Sequence, residues 1–311
     1  MVSHAGAVRR SGLETEGCGT ELLLIDGHNL AFRSFHGVAP LSNGDGFPTN
    51  AIHGWINSFW RLEDAIRPRR MAVIFDLGGS TFRREIYPAY KGNRRPMPED
   101  MRQQLPALRR VTELLGAVAI EREGVEADDV LASLAVREAK DGGTVAIASS
   151  DKDFAQLVSE RIALWCPPGA ATSSWQPMDV LAKFGVEPRQ MVAYLSLVGD
   201  SSDNIPGVAG VGAKTAARWL QLYGTLEEIL LHRAELSPRL AANLERAEEI
   251  LLRNQRLIRF DLSQGEDWQI PPLAPRPDEL DQFLHTFELR SLARAAVGRY
   301  RGMKTTQASL F

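Results

Sequence analysis

Short, unbroken apolar runs recur along the first half of the chain: "ELLLID" at 21–26, "MAVIFD" at 71–76, "AVAIE" at 117–121, "TVAIAS" at 144–149 and "IALWC" at 162–166. A run that does not alternate with polar residues suits a strand covered on both faces, as in a parallel sheet. Between the runs, segments such as "NAIHGWINSFWRLEDAI" and "ADDVLASLAVREAK" repeat their apolar residues every three or four positions, the spacing of a helix with one buried face. Strand and helix in alternation predict an α/β fold with a mainly parallel central sheet flanked by helices. Such sheets bind ligands beyond the carboxyl ends of their strands.

Acids gather at that predicted edge. Asp26 and Asp76 close the first two runs, and Asp151 and Asp153 follow the fourth in "SSDKDF". "GVEADDVLAS" places Glu126, Asp128 and Asp129 at the start of the helix after the third run, and "LVGDSSDNIPG" adds Asp200 and Asp203 at a helix end. Any one of these is accounted for by a cap, a turn or a first-turn acid opposing the helix dipole. So many on one edge are not, because crowded like charges raise one another's pKa and oppose folding. Divalent cations would relieve the repulsion, and oxygen-only ligands favour Mg²⁺ or Mn²⁺ over zinc. Two such ions about 4 Å apart can activate a water for in-line attack on a phosphodiester and stabilise the leaving oxygen.

Residues 83–110, "RREIYPAYKGNRRPMPEDMRQQLPALRR", hold eight Lys or Arg against three acids. A basic block beside an acidic site suits a polyanionic substrate, and Tyr87 and Tyr90 interleave with the cations as base-stacking residues would. The competing reading is a solvated helix surface. Arg33, seven residues past Asp26, is placed to reach the same phosphates or to form a structural salt bridge. In "GVAGVGAKTAARWL" (207–220), Gly207, Gly210 and Gly212 lead into a helix with Lys214 and Thr215 in its first turn. Ala213 separates Gly from Lys, which excludes a Walker motif. The form is either a helix–hairpin–helix whose N–H groups hold a DNA phosphate or a plain turn before a helix.

Composition narrows this only a little. With 311 residues and 44% hydrophobic content the chain can bury a core without staples. Cys18 and Cys166 form neither a disulfide framework nor a metal-ligand spacing, in keeping with a reducing, cytoplasmic and nucleoid-associated setting. No apolar run is long enough for a membrane span, so no membrane association is expected. A net charge of −3 gives no global sign of nucleic-acid binding, which leaves the local charge distribution to carry that reading.

The ordered set "LLLIDGHNLAFRSFHG", "AVIFD", "FRREIYPAYKGNRRPMP", "GVEADDVLAS", "SSDKDFAQLV" and "LVGDSSDNIPGVAGVGAKTA" resembles the 5′ nucleases, which include the 5′–3′ exonuclease domain of bacterial DNA polymerase I and the flap endonucleases. The likeness runs over about 21–298 and ends in "LDQFLHTFELRSLARAAV". It implies that Asp26, Asp76, Glu126 and Asp128 hold a first metal, and that Asp129, Asp151, Asp153, Asp200 and Asp203 form a second region. It also implies a helical arch over about 80–112 that passes a free 5′ strand, with Arg33 and Lys91 placing the scissile phosphate and Tyr90, Arg94 and Arg95 contacting DNA. Residues 200–223, with Gly207, Gly210, Gly212, Lys214 and Thr215, would hold downstream duplex, with K⁺ on the hairpin carbonyls.

The expected organisation is a leader at 1–20, an α/β nuclease core at 21–185, a helical DNA-binding subdomain at 186–298 and a tail at 299–311. The sequence ends without a polymerase domain, so the nuclease is expected to act alone, as a monomer. Its last residues, "QASLF", resemble the peptide that docks in the bacterial sliding clamp, with Gln307, Leu310 and Phe311 as anchors, against the alternative of a fraying terminus. The reading is a structure-specific 5′–3′ exonuclease and 5′-flap endonuclease acting on nicked or branched DNA and on RNA primers paired to DNA. The alternatives are a non-catalytic DNA-structure-binding protein and a PIN-like ribonuclease.

Overall fold

The computed structural model describes residues 20–79, 81–166, 173–265 and 268–301. The leader up to residue 19 and the tail residues Gln307, Leu310 and Phe311 lie outside them.

Each of the five apolar runs forms a strand: β1 (Leu22–Asp26), β2 (Arg70–Phe75), β3 (Val118–Glu121), β4 (Val145–Ala148) and β5 (Ile162–Cys166). They pair in parallel in the order β3-β2-β1-β4-β5, and β6 (Ser173–Trp175) adds an antiparallel edge beside β5. Alternate residues of β1 serve opposite faces. Leu22 and Leu24 enter one core with α5 (Ala127–Lys140), and Leu23 and Ile25 enter the other with α1 (Gly27–Gly37), α2 (Asn50–Ile66) and α4 (Glu99–Leu114). Burial on both faces is why the strands read as continuous apolar runs.

Beyond the edge strand, α6 (Pro177–Phe184) leads to α7 (Met191–Val198), the two-residue strands β7 (Gly199–Asp200) and β8 (Ile205–Pro206), and α8 (Ala213–Tyr223). Then follow α9 (Leu226–Leu231), α10 (Pro238–Arg246) and α11 (Glu248–Ile258), and these helices extend the first core. A Cβ on Gly207 would lie 2.3 Å from the Val198 carbonyl, so only glycine lets the hairpin close against the end of α7.

Two expectations change. The segment expected as a helical arch is a short helix α3 (Phe82–Ile86), a run of turns and an extended stretch, followed by α4. Helix α4 belongs to the core: it buries Met101, Leu108 and Val111, and Gln104 accepts the Ala51 and Ile52 N–H groups at 2.9 and 3.2 Å, capping α2 from another element. The helical subdomain also ends early. Helices α12 (Pro277–Thr286) and α13 (Arg290–Arg299) bury Leu280, Leu284 and Leu292 in the second core, beside α2 and α4. Among the described residues, no helix is long and apolar enough to cross a membrane.

Candidate active site

Between β1 and β4 the chain switches direction across the sheet, which opens a crevice at the carboxyl ends of these neighbours. Asp26 lies there, 8% exposed; its Oδ1 caps α1 by accepting the Asn29 N–H at 3.0 Å, and its Oδ2 accepts the Ser149 hydroxyl at 2.8 Å. Asp151 accepts the Asp153 N–H at 2.9 Å and starts the short 3₁₀ helix Lys152–Leu157. Glu126 stands at the N-cap of α5 without capping it. Its carboxylate instead accepts from Lys91 Nζ at 2.7 Å, Thr81 Oγ1 at 2.9 Å and the Tyr90 hydroxyl at 3.2 Å.

Lys91 is the centre of this cluster. It sits in the run of turns after α3 with a left-handed backbone (φ 54°), and its N–H donates to the Asp203 carbonyl at 3.0 Å. Its ammonium lies 3.9 Å from both Asp128 and Asp203. Burial works against the charge, yet Asp128, Glu126 and Asp203 keep the ammonium protonated beyond the usual lysine range. Asp203 also accepts from Arg94 at 2.7 Å and the Tyr90 hydroxyl at 3.1 Å. Asp200 pairs with Lys152 at 2.9 Å.

Several carboxyls remain poorly neutralised. Burial, with Asp151 nearby, pushes Asp26 up to about 6. Burial first, then neighbouring acids, pushes up Asp151 and, much further, Asp128 and Asp153. Asp153 Oδ1 is buried with no hydrogen-bond partner. Among the described residues no three acid, His or Cys side chains stand close enough to hold a metal ion as they are. Lys91, Arg94 and Lys152 sit on Glu126, Asp203 and Asp200. The donor set itself fits a hard divalent cation, being all carboxylate, crowded and with an orphaned oxygen.

Three expected site residues make contacts that their expected roles do not include. Asp129 faces away from the rim: Arg83, buried with it, grips it at 2.6 and 2.7 Å, and the Asp261 N–H donates to it at 2.9 Å. Its oxygens are therefore filled and it leaves the candidate ligand set. Tyr90, 3% exposed, cannot stack on a base; it is a buried donor to Glu126 and Asp203. Asp76 turns to the Gly78 N–H at 2.6 Å, and its own N–H donates to His28 Nδ1 at 3.1 Å. Among the described residues, Arg33, Arg95 and Lys214 make no ion pair; Arg33 is half-buried on α1, and the other two are exposed. Sequence reasoning missed Lys152, Thr81 and Arg83 as parts of this network.

The family description "5'-3' exonuclease, N-terminal resolvase-like domain" matches residues 21–185, and "5'-3' exonuclease, C-terminal SAM fold" matches residues 186–276. The chain belongs to the 5'-3' exonuclease family. The resemblance carried by the colinear motifs is borne out. A 5'-3' exonuclease of Aquifex aeolicus is 37% identical over 295 residues, covering 93% of this chain and 99% of that protein. A thermostable DNA polymerase I of Thermus thermophilus is 40% identical over 276 residues, covering 87% of this chain and 32% of the polymerase. The chain thus spans about a third of the polymerase relatives it matches. A T5 5'-exonuclease with zinc ions bound shares the fold (TM-score 0.67, 23% identity, 88% of this chain and 99% of that one). So does the catalytic core of Rad2 with DNA substrate (TM-score 0.63, 14% identity, 90% and 92%). Membership makes this exonuclease-family chain a nuclease, and solved members of the fold carry divalent metal ions.

Proposed function

We propose that the chain is a Mg²⁺- or Mn²⁺-dependent 5′–3′ exonuclease and 5′-flap endonuclease, cutting DNA and RNA-primer phosphodiester bonds in primer removal and repair. The observation that carries the reading is the crowding of buried acids around Lys91, at the mouth of the sheet's crevice. Asp26, Glu126, Asp128 and Asp151 would hold one ion, and Asp153, Asp200 and Asp203 a second, with Asp76 contributing at the β2 edge. Bound ions would supply a water of lowered pKa and stabilise the leaving oxygen.

The chain's own residues do the rest. Lys91 holds a charged ammonium where a scissile phosphate would meet the acids, so that its charge acts as negative charge develops. Arg33 and Arg95, which make no ion pair among the described residues, offer cations for the 5′ strand's phosphates. The turn at Gly207, Gly210 and Gly212, with Lys214 and Thr215 at the start of α8, presents N–H groups and one charge to a duplex phosphate. A K⁺ ion on the hairpin carbonyls, monomeric action in a cytoplasmic, nucleoid-associated setting and clamp docking through Gln307, Leu310 and Phe311 complete the proposal; the last three rest on sequence alone.

An end-labelled 5′-flap duplex and a matched single strand, each with Mg²⁺ and with EDTA, test the reading. Metal-dependent cutting near the flap junction is expected. Tight flap binding without cutting under either Mg²⁺ or Mn²⁺ would turn the reading to a DNA-structure-binding protein.

A further inference from the structure

Lys152 lies between Asp151 and Asp153 on the 3₁₀ helix after β4, and its ammonium reaches across to Asp200 on β7 at 2.9 Å. The other oxygen of Asp200, Oδ1, is filled by the Ser202 N–H at 2.9 Å and the Ser202 hydroxyl at 2.5 Å. Lys152 therefore covers the one oxygen of Asp200 that a ligand could use. The neighbouring Asp203 is in a similar state, with Arg94 on Oδ1 and Tyr90 on Oδ2. Asp153, on the same 3₁₀ helix as Lys152, keeps a buried oxygen with no partner. Asp26 and Asp151 accept from hydroxyl and amide groups and make no ion pair among the described residues, while Glu126 is paired with Lys91 at 2.7 Å.

We propose that Lys152 is a resident counter-ion that sets the cation affinity of the Asp153–Asp200–Asp203 half of the site: a divalent ion entering there must displace the ammonium from Asp200. An ion entering among Asp26, Asp128 and Asp151 gains from relieving their mutual repulsion, and there Lys91 already pairs with Glu126 at 2.7 Å. A second ion meets carboxylates already paired with Lys152 and Arg94, and must break a part-buried ion pair before it gains its own contacts. Lys152 is one-third exposed, so its released ammonium has solvent to enter and no backbone need move. With no ion bound, the device leaves Asp200 paired with Lys152 and Asp203 with Arg94, and only Asp153 of the three without a cation on it among the described residues. This rests on the metal-dependent reading above, and its test counts ions directly.

The experiment is a Mn²⁺ titration of the full metal-free chain, followed by electron paramagnetic resonance of free Mn²⁺, for wild type, Lys152→Met and Lys152→Arg. The expected result is two binding steps in wild type, a second step at least tenfold tighter in Lys152→Met with the first unchanged, and wild-type behaviour in Lys152→Arg. A second step in Lys152→Met equal to or weaker than wild type overturns the proposal. A wild-type measurement covers the case of a misfolded variant: amine acylation of Lys152, read by peptide mass spectrometry, should rise severalfold at saturating Mn²⁺. Two ions bound with Lys152 acylation unchanged also overturns it. Absence of Mn²⁺ binding in all three proteins would overturn the metal-dependent reading along with it, so the two failures are distinct.

Discussion

Replacing Asp129 by alanine separates a structural acid from a metal ligand. The carboxylate receives two guanidinium bonds from Arg83, at 2.6 and 2.7 Å, in a pair whose side chains are each 3% exposed. Arg83 also donates to the Leu257 and Arg259 carbonyls at 2.7 and 3.1 Å, so the pair ties α3, α5 and the end of α11 together. With Asp129 gone, the nearest remaining carboxylate to the guanidinium is Glu126 at 3.6 Å, already held by Lys91. Breaking one side of a buried pair costs about 3–5 kcal/mol because a buried charge is left uncompensated. With a urea slope of roughly 3 kcal/mol per M, the unfolding midpoint should fall by about 1–2 M. The number of Mn²⁺ ions bound at saturation should not change. Adding Arg83→Met to Asp129→Ala should recover part of the loss, since the stranded charge is then absent. An Asp129→Ala protein that unfolds at the wild-type midpoint but binds one ion fewer would refute the reasoning and return Asp129 to the ligands.

Gln104→Ala leaves the Ala51 and Ile52 N–H groups without their acceptor and should cost about 1–3 kcal/mol in urea unfolding; a loss below a few tenths would mean water replaces the cap. Gly207→Ala sets a Cβ against the Val198 carbonyl, so fluorescence anisotropy should show weaker duplex binding, with stability down by about 1–3 kcal/mol; unchanged binding would remove the hairpin from the DNA interface. In EDTA, stability should depend on pH through Asp26, whose folded-state pKa is raised by burial from 3.8 to about 6. The folded protein holds the proton more tightly, so the contribution is full below about pH 4 and is lost as pH rises through 6, a fall on the order of 3 kcal/mol. Unfolding in EDTA at pH 5 and pH 8, in wild type and in Asp26→Asn, checks the sign, and a change between the two pH values that is identical in both proteins would contradict it.

The parallel strands were legible because burial on both faces leaves unbroken apolar runs, and the acidic rim was legible because the strand ends are where such sheets bind ligands. The three residues of β6 carry no such run, and their pairing depends on the neighbouring strand β5. Asp128 and Asp129 look equivalent in sequence, yet successive helix residues point about 100° apart. One therefore faces Lys91 and the other Arg83. That phase was the available signal, since Asp129 shares its buried face with Ser133 one turn on. Tyr90 reads as a base-stacking residue among cations because sequence gives no hint that its segment folds down onto Glu126 and Asp203. The separation of α12 and α13 from the preceding helices was hidden for a similar reason: an amphipathic helix does not state which core it joins.

The central claim is that the acids at the crevice hold the metal that cuts. Flap DNA binding and flap cleavage by an Asp151→Asn, Asp153→Asn double variant, measured side by side with wild type in Mg²⁺, test it most directly. The account predicts that binding is retained or tightened, since two negative charges are removed from the path of the phosphate backbone, while cleavage falls by about a thousandfold or more. Cleavage at the wild-type rate by a folded double variant would contradict it.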